Sequence, residues 1–535
     1  MKKMWCIFAC VCLLYGCGKA ENSLDSKMAA SDEELTLCEQ HSEDKVTLEW
    51  YVNYSWFTVP WGENVVSRQI TEDTGISIRF LAPKGNEKER INSMISSDSL
   101  PDIVTLGWWE PQLNEMIDKG MVYPLNELAT EYDTSFFEVS QEAVRSWYTS
   151  EDGNLYCYPN SSFMPSDYET YDTIGSNQTF LVRKDIYEAI GSPDMTTPEG
   201  FQAAVRRAVQ EFPVVDGGEL IPIGAHEFTD TGCASFDQYL QNFLAIPFEK
   251  DGKYYDRDTD PEYIRWLKAF RELGAEGYLK GDIFIDQRTQ MEEKMAQGRY
   301  FCMLYQRTDM ADQQKLLYNR DPESAYIAVD GPKNSKGDDP VLPGAGINGW
   351  TVTLISRNCE RPDRAIELID YMMSEKGQKM MYFGVEGVTY DVIDGKCVVR
   401  EEVKALADTD RVAYDQLYGA DNTYWMLQNI AMQLPWRGKP EPPLGQLEEW
   451  TYPYTHYLGQ YELTYQTSTE AGNSYAKIKK LWSQVLPQLL LAPTEEEFDR
   501  ILADFAAKRE EMGFGAVTKE AERQFQSAKE KLGLE

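Results

Sequence analysis

The sequence predicts an α/β protein, because strand-like and helix-like segments alternate through most of its 535 residues. A chain of this length is longer than one hydrophobic core usually serves, so two or more lobes are expected. The C-terminal part differs from the rest, since its periodicity is helical throughout. The prediction is therefore a lobed α/β fold with a helix-rich C-terminus.

The N-terminus has the features of a secretory signal peptide. Lys2 and Lys3 precede an apolar stretch at residues 4–16, which is too short for a membrane-spanning helix of roughly 20 residues. We expect residues 1–16 to be removed. Residues 17–45 are polar and poor in aromatic side chains, so we expect them to form a flexible tether.

Cys17 ends the run Leu14-Tyr15-Gly16-Cys17, which resembles a bacterial lipobox. The resemblance implies cleavage before Cys17 and acylation of its thiol and its new amino group. The alternative is an ordinary secreted protein in which this cysteine is a coincidence. Since no later stretch is long and apolar enough to cross a bilayer, we expect attachment to the membrane through the lipid alone, on its extracytoplasmic face.

The first ordered segments alternate strand and helix, as parallel βαβ units do. Residues 46–52 are β-branched and aromatic, residues 76–80 alternate in polarity, and residues 100–106 are apolar. These three segments predict strands. Residues 65–70 and 87–97 have helical spacing and lie between them.

The alternation returns further along the chain. Strands are predicted at residues 179–182, 300–305, 326–329 and 350–354, and helices at residues 184–190, 263–273, 362–374, 468–491 and 495–512. Thr197 and Asp260 each precede a proline and predict helix N-caps. A calcium loop at Asp256, Asp258 and Asp260 is the alternative, but it lacks the central glycine and the terminal glutamate.

Composition excludes several classes of partner. The formal net charge is −36, and such a field repels nucleic acid and anionic membrane surfaces while leaving neutral ligands open. Three histidines have no metal-ligand spacing, and we predict no cofactor and no metal. The cysteines beyond Cys17 contain no C-x-x-C pair, and a disulfide among them stays open: Cys38, Cys157, Cys233, Cys302, Cys359 and Cys397.

Catalytic motifs are also lacking. The sequence has no Gly-x-Ser-x-Gly elbow, no Walker A loop and no His-Glu-x-x-His. A glycosidase needs only two facing carboxylates, and 88 acidic residues leave such a pair open. We predict a protein that is not an enzyme.

Seven short motifs share an order along the chain. They are residues 100–104 (LPDIV), 121–125 (MVYPL), 183–185 (RKD), 251–254 (DGKY), 260–263 (DPEY), 383–387 (FGVEG) and 394–396 (DGK). In this order they resemble the extracellular solute-binding proteins of bacterial ABC importers, in particular the carbohydrate-type lipoproteins of family 1. The likeness covers residues 46–530, with no match in the span 400–460.

The resemblance implies a periplasmic-binding-protein-like fold, in which two α/β lobes are joined by a hinge and the ligand lies in the cleft between them. We assign residues 46–170 and 325–372 to lobe 1, and residues 171–324 and 373–535 to lobe 2. A membrane permease of an ABC importer is the implied partner, and a monomer is expected. A surface glycan-binding protein that serves no permease is the alternative.

Aromatic residues dominate the places where cleft loops should fall, at the carboxyl ends of strands. Indole rings suit the apolar face of a sugar, and polar side chains suit its hydroxyl rim, so an oligosaccharide is the expected ligand and a peptide the runner-up. Core packing is the alternative explanation for each ring. The candidate ligand residues are Trp108, Trp109, Trp56, Trp350, Trp425, Asn53, Glu110 and Arg437.

Overall fold

The structure is a computed structural model that describes residues 44–279, 281–309 and 311–534. The predicted signal peptide, the predicted acylation site Cys17, Cys38 and nearly all of the predicted tether lie outside the described residues. No helix within the described ranges is both long enough and apolar enough to span a membrane.

The first sheet has five strands in the order β2-β1-β3-β14-β4. Their bounds are Val46–Val52 (β1), Ile76–Leu81 (β2), Ile103–Gly107 (β3), Tyr158–Pro159 (β4) and Thr351–Ile355 (β14). β1 pairs in parallel with β2 and with β3, which confirms the predicted βαβ units. β14 runs antiparallel to β3 and to β4, which the sequence did not predict.

The second sheet has four strands in the order β12-β5-β11-β8. Their bounds are Gln178–Arg183 (β5), Ile221–Gly224 (β8), Tyr300–Gln306 (β11) and Tyr326–Ala328 (β12). β11 is parallel to β8 and antiparallel to β5. Two-residue and four-residue strands make small pairs elsewhere: Val214–Val215 (β6) with Gly218–Glu219 (β7), Glu249–Lys250 (β9) with Lys253–Tyr254 (β10), Leu342–Pro343 (β13) with Thr455–His456 (β17), and Tyr390–Ile393 (β15) with Lys396–Val399 (β16).

Helices cover both sheets. Those of eight residues or more are Val65–Thr74, Glu87–Ser96, Pro111–Asp118, Leu125–Tyr132, Pro198–Glu211, Pro261–Ala275, Arg288–Ala296, Ala311–Arg320, Pro362–Met373, Glu375–Phe383, Glu401–Thr409, Leu444–Thr451, Glu470–Leu490, Glu495–Glu511 and Phe514–Leu532. The side chain of Thr197 accepts a hydrogen bond from the amide of Gly200, and Asp260 accepts one from Glu262, so both predicted N-caps are confirmed. The last three helices form the predicted helix-rich C-terminus.

Each sheet has its own hydrophobic core. Phe180 and Phe301 of the second sheet pack with Trp482 and Phe505 of the C-terminal helices. Trp50 of the first sheet packs with residues from helix Pro362–Met373 and with a later group, which comprises Met381, Val403, Tyr414, Ala420, Tyr424, Trp425, Met426 and Leu427. That later group lies in the span assigned above to lobe 2, although it packs on the first sheet; the lobe boundaries stay a prediction.

Three segments connect the two sheets, and they contact one another. The amide of Phe163 donates to the carbonyl of Gly346, and the amide of Gly344 donates to the carbonyl of His456. Phe163, Ile174 and Ala431 form a small apolar cluster among these segments. This arrangement is that of a hinge built from several crossings of the chain.

Candidate functional site

Most of the predicted ligand residues lie at one edge of the first sheet. β1 and β3 are parallel, so both end at this edge, and β14 begins there because Thr351 pairs with Gly107. The segments that follow β1 and β3 therefore meet the residue that precedes β14. This is the position that ligand-contacting loops take in open α/β sheets.

Four aromatic side chains form one cluster at this edge, which we call the ring cluster: Tyr54, Trp56, Trp350 and Trp425. The ring centroids of Trp350 and Trp425 are 4.4 Å apart, and those of Trp56 and Trp350 are 6.3 Å apart with ring planes only 18° from parallel. Tyr54 lies between 5.3 and 5.8 Å from each of the three indoles. Trp56 is 49% exposed whereas Trp425 is buried, so the cluster has a solvated outer face and a buried base.

The side chain of Asn160 supports the ring cluster through hydrogen bonds to the backbone. This residue follows β4 and is fully buried. Its side-chain oxygen accepts from the amides of Trp350 (3.3 Å) and Thr351 (3.0 Å), and its side-chain nitrogen donates to the carbonyl of Trp425 (3.2 Å). One asparagine thereby ties the loop before β14 to the segment around Trp425.

Beside the ring cluster, Asn53 and Glu110 join the ends of β1 and β3. The Asn53 amide donates to Glu110 Oε2 at 2.6 Å, and the Gly107 amide donates to Glu110 Oε1 at 2.7 Å. Tyr51 donates its hydroxyl to the side-chain oxygen of Asn53. Burial raises the pKa of Glu110 to about 7. A carboxyl group held in this way can accept a hydrogen bond from a ligand when ionised and donate one when protonated.

Trp108 and Trp109 follow β3 but form a separate pair. Their rings are 5.7 Å apart and nearly perpendicular, at 86°. Trp109 is 52% exposed and its indole covers the backbone of Gly107, where a Cβ atom would lie 2.8 Å from the ring. Among the described ring contacts, those of Trp109 reach Trp108 and not the ring cluster. Their role as ligand contacts stays a prediction.

Arg437 lies in a buried ion-pair network rather than in the ring cluster. Its guanidinium is 3.1 Å from Glu448 Oε1, and Arg307 is 3.0 Å from Glu448 Oε2. The Glu448 side chain is only 6% exposed, whereas that of Arg437 is 33% exposed. Two guanidinium groups thus share one buried carboxylate at the end of β11.

The facing edge of the second sheet carries residues that sequence reasoning missed. β8 ends just before His226, whose ring stacks on Tyr305 of β11 at 4.1 Å. The Tyr305 hydroxyl and His226 Nε2 are buried and have no hydrogen-bond partner among the described residues. His226 lies just after β8, and no strand was predicted at Ile221–Gly224, so the carboxyl-end rule did not mark this residue.

Charged side chains continue this edge. Arg288 contacts Glu292 at 2.9 Å and Asp309 at 3.3 Å, and Glu227 Oε2 lies 3.6 Å from Nδ1 of His226. The side chains of Glu227 and Asp309 are 26% and 24% exposed. The second edge therefore offers carboxylates and aromatic hydroxyls, which are hydrogen-bonding groups.

One ion pair joins the two edges. Lys88 Nζ lies 3.5 Å from Asp230 Oδ2, where Lys88 belongs to the helix that follows β2 and Asp230 to the loop that follows β8. Both side chains are largely exposed. The contact brings the loop that follows β8 close to the helix that follows β2, and we take the space between these two edges as the candidate cleft.

A groove of about 390 Å³ lies elsewhere, and its lining includes Glu138, Gln141, Asp167, Tyr171, Asn429 and Met432. It contains none of the predicted ligand residues. Within the described residues, no group of three or more histidine, cysteine, aspartate and glutamate side chains is arranged to hold a metal ion. In the same part of the chain five cysteines are free thiols: Cys157, Cys233, Cys302, Cys359 and Cys397.

Comparison with known proteins assigns the class. The family described as bacterial extracellular solute-binding protein matches residues 66–395, and the chain belongs to it. The chain is 20% identical, over 391 residues, to the polygalacturonan/rhamnogalacturonan-binding protein YtcQ of Bacillus subtilis (strain 168); the match covers 71% of this chain and 74% of that protein.

Solved structures of similar fold extend over nearly the whole chain. The alginate-binding protein AlgQ2, solved without calcium ion, matches with a TM-score of 0.67 and 19% identity, over 91% of this chain and 99% of that one. The Streptococcus pneumoniae ABC-transporter substrate-binding protein FusA, solved with kestose, matches with a TM-score of 0.69 and 15% identity, over 91% and 100%. The predicted α/β, two-lobed periplasmic-binding-protein-like fold is confirmed.

Proposed function

We propose that this protein binds an oligosaccharide outside the cytoplasm and delivers it to the membrane permease of an ABC importer. The observation that carries the proposal is the ring cluster, which presents the partly exposed indole of Trp56 at the carboxyl edge of the first sheet. A pyranose ring has an apolar face that packs on an indole and a rim of hydroxyls that needs hydrogen-bond partners. The half-buried Glu110 lies beside the cluster and can act as such a partner, while the buried Asn53 holds its carboxyl group in place.

The relatives support the same class of ligand. The Bacillus subtilis relative is named for binding polygalacturonan and rhamnogalacturonan, and FusA was solved with kestose. These proteins are below 25% identical to this chain, so they support a carbohydrate ligand without indicating which one.

Ligand delivery needs a change between open and closed lobes. The proposed lobes are residues 46–170 with 325–372 and residues 171–324 with 373–535. The packing of side chains from residues 403–427 on the first sheet favours assigning that segment to lobe 1. A ligand that contacts both sheet edges binds the closed form better and therefore shifts the protein towards it. The permease would then receive the closed, loaded form.

Attachment to the membrane completes the proposal. Acylation at Cys17 would hold the protein on the extracytoplasmic face of the cell membrane, within reach of the permease. Replacing Cys17 by Ser should release the protein into the medium and abolish labelling by radioactive palmitate. Retention of the label in Cys17→Ser would contradict lipid attachment at this residue.

Isothermal titration calorimetry of the full chain with a panel of oligosaccharides tests the ligand class. At least one oligosaccharide should bind, and an equimolar panel of oligopeptides should give no heat. Binding of peptides with silence across the glycans would overturn the proposal. An assay for newly released reducing ends on the same glycans checks that binding is not followed by hydrolysis.

A further inference from the structure

Carboxylates lie at both edges of the candidate cleft. Glu110 follows β3 in the first sheet, Glu227 follows β8 in the second, and Asp309 follows β11. The Glu227 and Asp309 side chains are partly exposed, so a ligand in the cleft can reach them. A sugar hydroxyl can donate a hydrogen bond to the ionised carboxylates of Glu227 and Asp309, whereas a carboxylate on a ligand cannot.

The arginine among these carboxylates is already held. Arg288 is 2.9 Å from Glu292 and 3.3 Å from Asp309, so two carboxylates face one guanidinium. A ligand anion that approached Arg288 would also approach Glu292 and Asp309, whose negative charges oppose its binding. At the edge of the second sheet, the carboxylates of Glu227, Glu292 and Asp309 therefore outnumber the single guanidinium of Arg288.

Buried hydroxyls add neutral hydrogen-bonding capacity. The hydroxyls of Tyr54 at the first edge and Tyr305 at the second are buried without a hydrogen-bond partner among the described residues. Burial raises the pKa of both phenols far above the ordinary value, so they stay protonated. A phenol of this kind can both donate to and accept from a neutral sugar hydroxyl.

The net negative charge of the whole chain also disfavours acidic ligands. A formal net charge of −36 creates a field that slows the approach of polyanions, and this effect weakens as salt rises. Near the end of β11, Arg307 and Arg437 share the single carboxylate of Glu448, which leaves a local excess of positive charge. That cluster is the competing site for an acidic sugar.

We propose that the cleft selects neutral oligosaccharides and rejects oligosaccharides of uronic acids, because carboxyl groups lie at both of its edges and Arg288, at the edge of the second sheet, is bound by two carboxylates. This inference rests on the proposed function, since it names the subclass of glycan that the same site binds. It separates this chain from the Bacillus subtilis relative, whose name is that of a polygalacturonan-binding protein.

Matched ligands test the inference. Tetragalacturonate and its carboxyl-reduced form have the same linkages and length and differ only at C6, where a carboxylate is replaced by a neutral hydroxymethyl group. Calorimetry of the full chain should compare this pair, together with neutral cello-, xylo-, manno-, malto- and fructo-oligosaccharides and acidic alginate oligosaccharides, at low and at high salt. We expect at least one neutral glycan to bind, and every acidic glycan to bind at least about 100-fold more weakly than the best neutral one.

A charge-removing variant gives a second readout. The double variant Glu227→Gln with Asp309→Asn should reduce the ratio of the Kd of the acidic glycans to the Kd of the best neutral glycan by about tenfold or more. The matched control is the double variant Glu511→Gln with Asp504→Asn. It removes the same charge from exposed positions of helix Glu495–Glu511 and should leave the ratio of the two Kd values unchanged. Circular dichroism of both variants verifies that they are folded.

The outcomes separate the inference from the function on which it rests. If tetragalacturonate or an alginate oligosaccharide binds as tightly as the neutral glycans, the inference is overturned while the proposed function stands. Loss of that binding in Arg437→Ala would assign the acidic sugar to the cluster of Arg307, Arg437 and Glu448. If no glycan of either kind binds, the proposed function itself falls.

Discussion

Trp350 and Trp425 place their ring centroids 4.4 Å apart, and the side chain of Asn160 hydrogen-bonds to the backbone of both residues. The two tryptophans come from distant parts of the chain, one before β14 and the other in the short helix Trp425–Leu427. The ring of Trp56 packs against both of these indoles. The candidate site is thus assembled by tertiary packing and positioned by one buried amide.

Replacing Trp56 by Ala should weaken the binding of the cognate glycan by about 2 kcal/mol, or roughly 30-fold, because it removes the most exposed indole of the ring cluster. Its effect on stability should be small, since Trp56 is 49% exposed. Calorimetry and urea denaturation measure the two quantities. Tyr475→Ala is the control, because Tyr475 is also partly exposed and stacks on another ring, that of Tyr465, outside the candidate site; equal losses in both variants would contradict the assignment.

Gly349 should not tolerate a side chain. Its φ is +61°, and a Cβ atom would lie 1.7 Å from the carbonyl oxygen of Asn160. Gly349→Ala should lower the free energy of unfolding by about 3 kcal/mol or more, and it should also weaken glycan binding because Trp350 is the next residue. Gly337→Ala has a similar φ of +74° with open space around the added atom, and it should cost only about 1 kcal/mol. Urea denaturation of both variants checks the difference.

Glu448→Gln should be strongly destabilising, because Arg307 and Arg437 would lose the carboxylate that they share in a buried position. Breaking a buried ion pair by removing one partner typically costs about 3 kcal/mol. Glu449→Gln changes the neighbouring residue, which makes an exposed ion pair with Lys439 at 3.6 Å, and should cost less than about 0.5 kcal/mol. Similar denaturation midpoints for the two variants would show that the network contributes little.

Asp370 makes stability depend on pH. Burial, together with repulsion by Asp133, raises its pKa from 3.8 to about 7. The native state therefore binds more protons than the unfolded state between these values, and the free energy of unfolding falls as pH rises from about 4 to about 7.

Asp370→Asn should remove this contribution. We expect the variant to be more stable than the wild type at pH 8 by roughly 2 kcal/mol and nearly equal to it at pH 4. Urea denaturation at the two pH values, with Asp504→Asn as an exposed control, measures the effect. A variant that is destabilised at pH 8 would mean that the carboxylate makes favourable contacts that outweigh its burial.

The sequence predicted the strands and helices well where periodicity is strong. β1, β2 and β3 lie where their β-branched and alternating residues predicted them, and the parallel pairing followed from the intervening helices. The direction of β14 was not predictable, because an apolar strand has the same pattern in either direction. β8 was missed, since the four residues of Ile221–Gly224 contain a proline and a glycine and do not alternate.

The candidate site was predictable only in part. The strand-end rule placed Asn53, Trp56 and Glu110 near one another, and the structure has them at one edge. Trp350 joins them because β14 runs antiparallel to β3 and begins at that edge. The partner of Arg437 could not be inferred, because a contact between distant segments leaves no periodic pattern in the sequence. The same reason hid the stacking of His226 on Tyr305.

The mutual packing of Tyr54, Trp56, Trp350 and Trp425 has a consequence for the thermodynamics of recognition. Rings that pack on one another have few accessible rotamers. A ligand that binds to these preorganised rings therefore causes little further loss of side-chain conformational entropy. Most of the conformational entropy of these four side chains is lost when the chain folds rather than when the ligand binds.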